Sequence, residues 1–121
     1  MISEARAALT GLLEDAGFRV FDYVPPNITP PCAVIFPLGD WITPGENFGE
    51  YRIGFSVRIF AQALTNQNVT ATMDGYVEDV IDAVDSAAGF YMSGMQAPEQ
   101  FGENASAFLG VDAAIYQITR Q

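Results

Sequence analysis

The segment that decides the fold spans residues 50–62 and reads EYRIGFSVRIFAQ. Its apolar side chains alternate with polar or small ones, which is the period of a β-strand with one buried face. The buried face is predicted to carry Tyr51, Ile53, Phe55, Val57, Ile59 and Ala61. The other face is mixed and carries Arg52, Gly54, Ser56, Arg58, Phe60 and Gln62. The chain is therefore built around a long strand that needs a covering layer on its apolar side.

Two helices are available to provide that layer. The first is predicted to start with Ser3 as its cap, to bury Leu9, Leu12, Leu13 and Ala16, and to end at Gly17. The second has a buried stripe at helical spacing, formed by Val69, Met73, Tyr76, Val77, Val80, Ile81 and Val84. Both helices therefore have one apolar side that must pack against a sheet.

Short apolar runs at 18–24, 32–38, 90–95 and 107–119 predict the other strands. The proline-rich residues 25–31 form an extended connector, 39–49 a loop, and 97–99 a turn. The order is helix, three strands, helix, two strands. The fold class is therefore α+β: a two-layer domain over residues 1–121, with a mixed or antiparallel sheet and both helices on one face.

The composition excludes several kinds of chemistry. The 121 residues include 15 acidic and 5 basic ones, all five of the latter arginine, and the net charge is −10 without any histidine or lysine. A histidine triad, a histidine metal site, a lysine Schiff base and a Walker loop are therefore impossible. The negative charge disfavours binding to the nucleic-acid backbone. Cys32, the single cysteine, is expected to be a buried and inert thiol.

The sequence contains neither a nucleophile elbow nor a dinucleotide-binding fingerprint, so we expect no enzyme activity, no cofactor and no metal. No segment is long enough to span a membrane. The N-terminus, MISEAR, lacks the apolar run of a secretory signal. We therefore expect the protein to be made in the cytoplasm and to leave it only within an assembly.

One side of the second helix is strongly acidic. Asp74, Glu78, Asp82 and Asp85 follow one another at spacings of four, four and three, which places them on one face. A solvated helix face is the plain interpretation, and an acidic wall toward a partner or a lumen is the functional one. A carboxylate metal site is the weakest alternative, because the chain lacks the spacing of a calcium-binding loop.

The predicted loop 39–49 is unusually apolar. Trp41, Ile42 and Phe48 either fold back onto the core or anchor a neighbouring subunit, together with Tyr51 at the start of the next strand. The two long strands also carry apolar groups on both faces, and two helices cannot cover both. These observations predict contact with other copies of the chain.

Taken together, these residues resemble the tail terminator (tail-completion) proteins of long, non-contractile-tailed bacteriophages, most of all those of phages that infect actinobacteria. The resemblance covers nearly the whole chain. It rests on the opening helix, GFRVFDYVP at 17–25, PPCAVI at 30–35, TPG at 43–45, FGEYR at 48–52 and the acidic second helix.

The resemblance implies a homo-oligomeric ring, typically a hexamer, within the virion at the junction of tail and neck. Such a ring would cap the tail tube protein, end its polymerisation and offer a surface to the head–tail connector, while DNA passes through the lumen without specific binding. A net charge of −10 per subunit fits that passage, because like charges repel. The acidic stripe, Asp74, Glu78, Asp82 and Asp85, is then expected on the lumen or on an axial surface.

Three alternatives remain open from the sequence. Another neck component, such as a head-closure or connector protein, would share the size and the order of elements. An acidic DNA mimic that inhibits a nucleic-acid-binding protein would share the charge. An enzyme of unknown type is the third and has no group of residues to support it.

Overall fold

The computed structural model describes residues 2–63, 67–101 and 108–120. Within them lie two helices, α1 (Ile2–Asp15) and α2 (Val69–Asp85). The strands are β1 (Arg19–Phe21), β2 (Cys32–Pro44), β3 (Glu50–Ala63), β4 (Phe90–Met95), β5 (Glu99–Phe101) and β6 (Phe108–Arg120). The predicted α+β class with helices packed on a mixed sheet is confirmed.

The strands of the described residues form one sheet in the order β1-β2-β3-β6-β4, and β5 pairs with β6 beyond the end of β4. Only β1 runs parallel to its neighbour, and the other pairings are antiparallel. The predicted segment 50–62 lies at the centre, as β3, between the long strands β2 and β6. Strand β5 was not predicted, because Glu99 was assigned to a turn and three residues are too few to show a period.

The main core lies between this sheet and both helices. From the sheet, Ile53, Phe55, Val57 and Ile59 point into it, and each is fully buried. From α1, Leu9 and Leu13 are fully buried on the same side. The alternation predicted for β3 is thus correct, and both helices cover one face of the sheet.

The ends of α1 agree only in part with the sequence. Gly17 follows the helix with a φ of 101°, a left-handed conformation that glycine adopts without strain. Helix α1 already includes Ile2, however, so Ser3 lies inside its first turn and the prediction that Ser3 caps it is wrong.

The stripe predicted for α2 is correct except at one position. Val69, Met73, Val80 and Val84 are buried against the sheet. Ile81 is 39% exposed and lies on the outer side of the helix. A stripe of seven residues is wider than the sheet can cover, so one of its edges stays in solvent.

The largest correction concerns β2. Its strand continues through Leu38 to Pro44, with a register shift between Pro37 and Ile42. Trp41 and Ile42, predicted in a loop, are therefore strand residues. Pro37 and the Gly39-Asp40 pair hid this extension, because both are unfavourable within strands. Strand β1 also differs from the prediction: it is three residues long, whereas the sequence predicted a strand over the seven residues 18–24.

Candidate functional site

Strands β2 and β3 form a long hairpin whose end is held by Glu50. The backbone N–H of Gly45 donates to the Glu50 carbonyl over 2.7 Å, and the Glu50 N–H donates to the Asn47 carbonyl over 3.1 Å. The Glu50 carboxylate also accepts from the Glu46 N–H at 3.2 Å and from the Asn47 side-chain amide at 3.4 Å. The turn is therefore an ordered structure at the end of two strands.

Phe48 lies at the tip of this turn and is 105% exposed relative to a free residue. A phenylalanine so exposed gains nothing from the fold, and it would bury about 150–250 Å² in a contact. Of the predicted interface residues, Phe48 has the clearest outward position. Nothing within the described residues covers it.

The other predicted interface residues are divided between the two faces of the hairpin. Ile42 lies opposite Ile53, and Pro44 lies opposite Tyr51, on the helix side. Strand alternation places Trp41 with Thr43 on the opposite face. Trp41 and Ile42 are each 37% exposed and Tyr51 is partly buried. The structure thus brings these four residues to one end of the molecule without joining them into a single flat patch.

The sheet face turned away from the helices is covered at one end only. A second apolar cluster buries Cys32, Val34 and Phe60 there, and its rim is formed by Phe21, Ile28, Phe36, Phe101 and Phe108. The connector provides Ile28, and β5 provides Phe101. The chain therefore covers one end of this face itself and leaves the rest without a covering layer, as expected for two helices that cannot cover both faces.

The rest of that face, here called the open face, has small side chains at its centre, where Gly54 and Ser56 of β3 lie beside Ala114 of β6, and the large ring of Tyr116 lies opposite Gly54. Toward the hairpin end it has a cleft of about 450 Å³ lined by Thr43, Arg52, Tyr91, Ser93 and Tyr116. The open face, with this cleft, is the part of the sheet without a covering layer.

Arg52 is the charged group of the cleft. It lies between Thr43 of β2 and Ile118 of β6 in the strand register. A hydrogen bond to Tyr91, and to a smaller extent the nearby charge of Glu46, raise the pKa of the guanidinium. Tyr91 in turn stacks on Tyr116, with ring centroids 5.3 Å apart and planes 17° from parallel. The cleft thus presents a cation among side-chain hydroxyl groups, which suits a carboxylate or another oxyanion.

Sequence reasoning missed this cleft. Its residues come from β2, β3, β4 and β6, and no spacing along the chain connects them. The signal was limited to the two tyrosines, Tyr91 and Tyr116, whose pairing depends on the register between β4 and β6.

The acidic stripe lies on one side of α2, as its spacing predicts, and its place in an assembly stays a prediction. Asp74, Glu78, Asp82 and Asp85 are all exposed. Asp82 also joins Asp15 and Asp79 at the rim of a groove between the two helices. In the part of the chain that the structure describes, no three histidine, cysteine, aspartate or glutamate side chains are close enough to hold a metal ion.

Cys32 lies fully buried in the second apolar cluster. Burial raises the pKa of its thiol, and the charge of Arg19 lowers it by less. The protonated thiol is a weak nucleophile, so the position favours a packing role.

No protein-family model and no curated protein matches the chain. Neither of the helices within residues 2–63, 67–101 and 108–120 is both long and apolar enough to cross a membrane.

Proposed function

We propose that this chain is a structural subunit of the tail terminator kind, which closes into a ring, typically a hexamer, on the end of a phage tail tube. The ring stops tube polymerisation, gives the head connector a surface to bind, and lets DNA pass through its centre. The proposal rests on the resemblance carried by the opening helix, the acidic second helix and residues 17–25, 30–35, 43–45 and 48–52, to which the fold adds physical support.

The observation that supports the proposal most is that both helices cover the same face of the sheet. Helices α1 and α2 pack on a single face, while the open face and the hairpin end keep Trp41, Ile42 and Phe48 in solvent. Aromatic side chains of this kind are enriched at the centres of protein interfaces. A sheet with one uncovered face and an apolar tip is well suited to repeated contact with identical neighbours.

A ring is the form of assembly that fits a terminator. When the two contact surfaces of a subunit differ, each copy binds the next one head to tail, and a suitable rotation closes the series. A closed ring leaves no free surface of that kind, so it cannot grow. The charge of −10 per subunit keeps a DNA channel from binding its cargo.

Tail assembly with and without the protein tests this proposal. Purified tube subunits should form tubes of indefinite length alone and shorter, capped tubes when the protein is added. Phage particles made without it should have overlong tails. Normal tails that lack only attached heads would indicate a connector instead.

The DNA-mimic alternative gives a different result in the same preparation. A mimic would stay monomeric and bind a basic protein with strong salt dependence, because surface charges are screened as salt rises. Uncapped tubes together with such binding would overturn the terminator proposal.

A further inference from the structure

The open face of the sheet has room for a second layer, and a second copy of the chain offers one. A sheet buries its apolar surface against a helix or another sheet, and this sheet has helices on one face only. Beside the Arg52 cleft, Ile118 is 43% exposed. A covering element must therefore combine an apolar side chain with a group that pairs with Arg52.

Charge decides which element of the protein can meet that requirement. Carboxylates outnumber arginines by 15 to 5, so a random contact between copies brings like charges together. Arg58 is already occupied, because it forms an ion pair with Asp112 over 2.8 Å. Of the two arginines on this face of β3, Arg52 is the one without a carboxylate within ion-pair distance among the described residues, and it lies in the hydroxyl-lined cleft beside Tyr91.

The outer face of α2 has the complementary pattern. Ile81 is 39% exposed, and Glu78 and Asp85, three residues before it and four after it, lie on the same side of the helix. Asp82 lies one turn after Glu78 on the acidic face. Ile81 thus lies where the buried stripe of α2 meets its acidic face, whereas the open face has an apolar side chain, Ile118, next to a cation. Since α2 covers the opposite face of its own sheet, it cannot reach the open face of the same chain.

We propose that the outer face of α2 in one copy docks on the open face of the next copy. The carboxylates of Glu78 and Asp82 then enter the Arg52 cleft, and Ile81 packs against Ile118. The contact rests on the proposed ring and names the surfaces that close it. It assigns the acidic stripe to a subunit contact instead of the lumen.

Pairing through the sheet edge is the less favoured geometry. Strand β1 pairs with Cys32–Val34 only, and the described residues include no other partner for that edge of β2. Pro37 lacks an N–H group, and the register shift after it distorts the edge, both of which disfavour strand addition. A helix on the open face avoids these obstacles.

The test is a charge exchange followed by native mass spectrometry over a range of protein concentrations. Arg52→Glu should weaken self-association at least about tenfold, as should the Glu78→Arg/Asp82→Arg pair, because each places like charges in the contact. Combining all three substitutions in one chain should restore assembly. Arg19→Glu, the same charge change on β1, is the matched control and should leave assembly unchanged.

A cross-link tests the geometry without relying on charge. Ser93→Cys together with Asp82→Cys should give disulfide-linked oligomers under mild oxidation, whereas either substitution alone should not. Circular dichroism checks folding of every variant. If Arg52→Glu misfolds, the double substitution Glu78→Arg/Asp82→Arg on the exposed side of α2 tests the contact instead.

The outcomes separate this contact from the ring. If the wild type assembles, and either Arg52→Glu or Glu78→Arg/Asp82→Arg assembles equally well, the proposed contact is wrong while the ring proposal stands. The open face then binds another partner. A wild-type protein that is monomeric at every concentration overturns both.

Discussion

Arg58 and Asp112 lie directly opposite each other on β3 and β6 and form a two-point ion pair. The Arg58 Nε donates to Asp112 Oδ1 over 2.8 Å, and Nη2 donates to Oδ2 over 3.2 Å. The guanidinium carbon lies 4.3 Å from the centroid of the Phe101 ring and 5.7 Å from that of Phe36. Asp112 and the two rings therefore fix this arginine from several directions, and it ties the second apolar cluster to the open face.

Removing the carboxylate charge should destabilise the protein measurably. Asp112→Asn should lower the free energy of unfolding in urea by about 1–2 kcal/mol, because charge-assisted, partly shielded hydrogen bonds contribute more than exposed ones. Glu99→Gln is the control, since Glu99 is exposed and acts on Arg58 only at longer range. Its effect should stay within about 0.5 kcal/mol. Equal effects of the two substitutions would contradict the special role of the pair.

Gly110 is required by the close approach of Phe101. A Cβ atom at Gly110 would lie 2.5 Å from two carbons of the Phe101 ring. Gly110→Ala should therefore push the ring off Arg58 and lower the free energy of unfolding by about 1–3 kcal/mol. Gly94→Ala, where a Cβ meets nothing within 4 Å, is the matched control on β4.

A double-mutant cycle with Phe101→Leu tests the stated cause. If the ring is the obstacle, Gly110→Ala should cost clearly less in the Phe101→Leu background, with a coupling of at least about 0.5 kcal/mol. Additive effects would show that another contact makes glycine necessary.

The centre of the fold could be predicted from the sequence because its signals are periodic. Alternation over β3 and helical spacing in α2 each report burial directly, and the structure confirms both apart from Ile81. Trp41 shows where such reasoning fails: its strand continues past Pro37 and through a register shift, held there by pairing with β3. Tertiary pairing overrides local preference at such positions.

The candidate site could be predicted only where it lies on a single element. The acidic stripe on α2 follows from spacing alone. The Arg52 cleft depends on Thr43, Tyr91 and Tyr116, which three other strands provide, and their meeting is a property of the sheet register.

Two glycines should respond in opposite directions to the same substitution. Gly75→Ala, in the exposed middle of α2 with no atom within 4 Å of the new Cβ, should raise the free energy of unfolding by about 0.5–1 kcal/mol. Gly17→Ala should lower it by about 1–2 kcal/mol, because alanine is strained at a φ of 101°. Urea unfolding of both variants measures the signs, and a loss at Gly75 would contradict its position in a regular helix.

Cys32 should make stability fall at alkaline pH. Burial raises the pKa of its thiol above the ordinary value of 9.0, so the unfolded chain loses this proton at lower pH than the folded one. The unfolded state is therefore stabilised relative to the native state as pH rises: the contribution is fully present below the unfolded-state pKa and is lost as pH rises through the higher folded-state pKa. Cys32→Ala should remove that part of the decline in urea unfolding at each pH.

The same burial should protect the thiol from reagents. A disulfide reagent should react with Cys32 at least about 100-fold more slowly in the native protein than in concentrated urea, because reaction requires opening of the cluster. Fast labelling of the native protein would contradict the buried position.

Phe48 should matter for assembly and not for folding. The side chain is fully exposed at the hairpin tip, so Phe48→Ser should change the free energy of unfolding by less than about 0.5 kcal/mol. If the tip contacts a neighbouring subunit or the tube, the same substitution should weaken tube capping or self-association about tenfold or more, as loss of an interface aromatic does. Val24→Ser, at an apolar side chain 52% exposed just before the proline-rich connector, is the matched control. Equal capping by wild type, Phe48→Ser and Val24→Ser would show that the hairpin tip takes no part in the assembly, even where ring formation itself is intact.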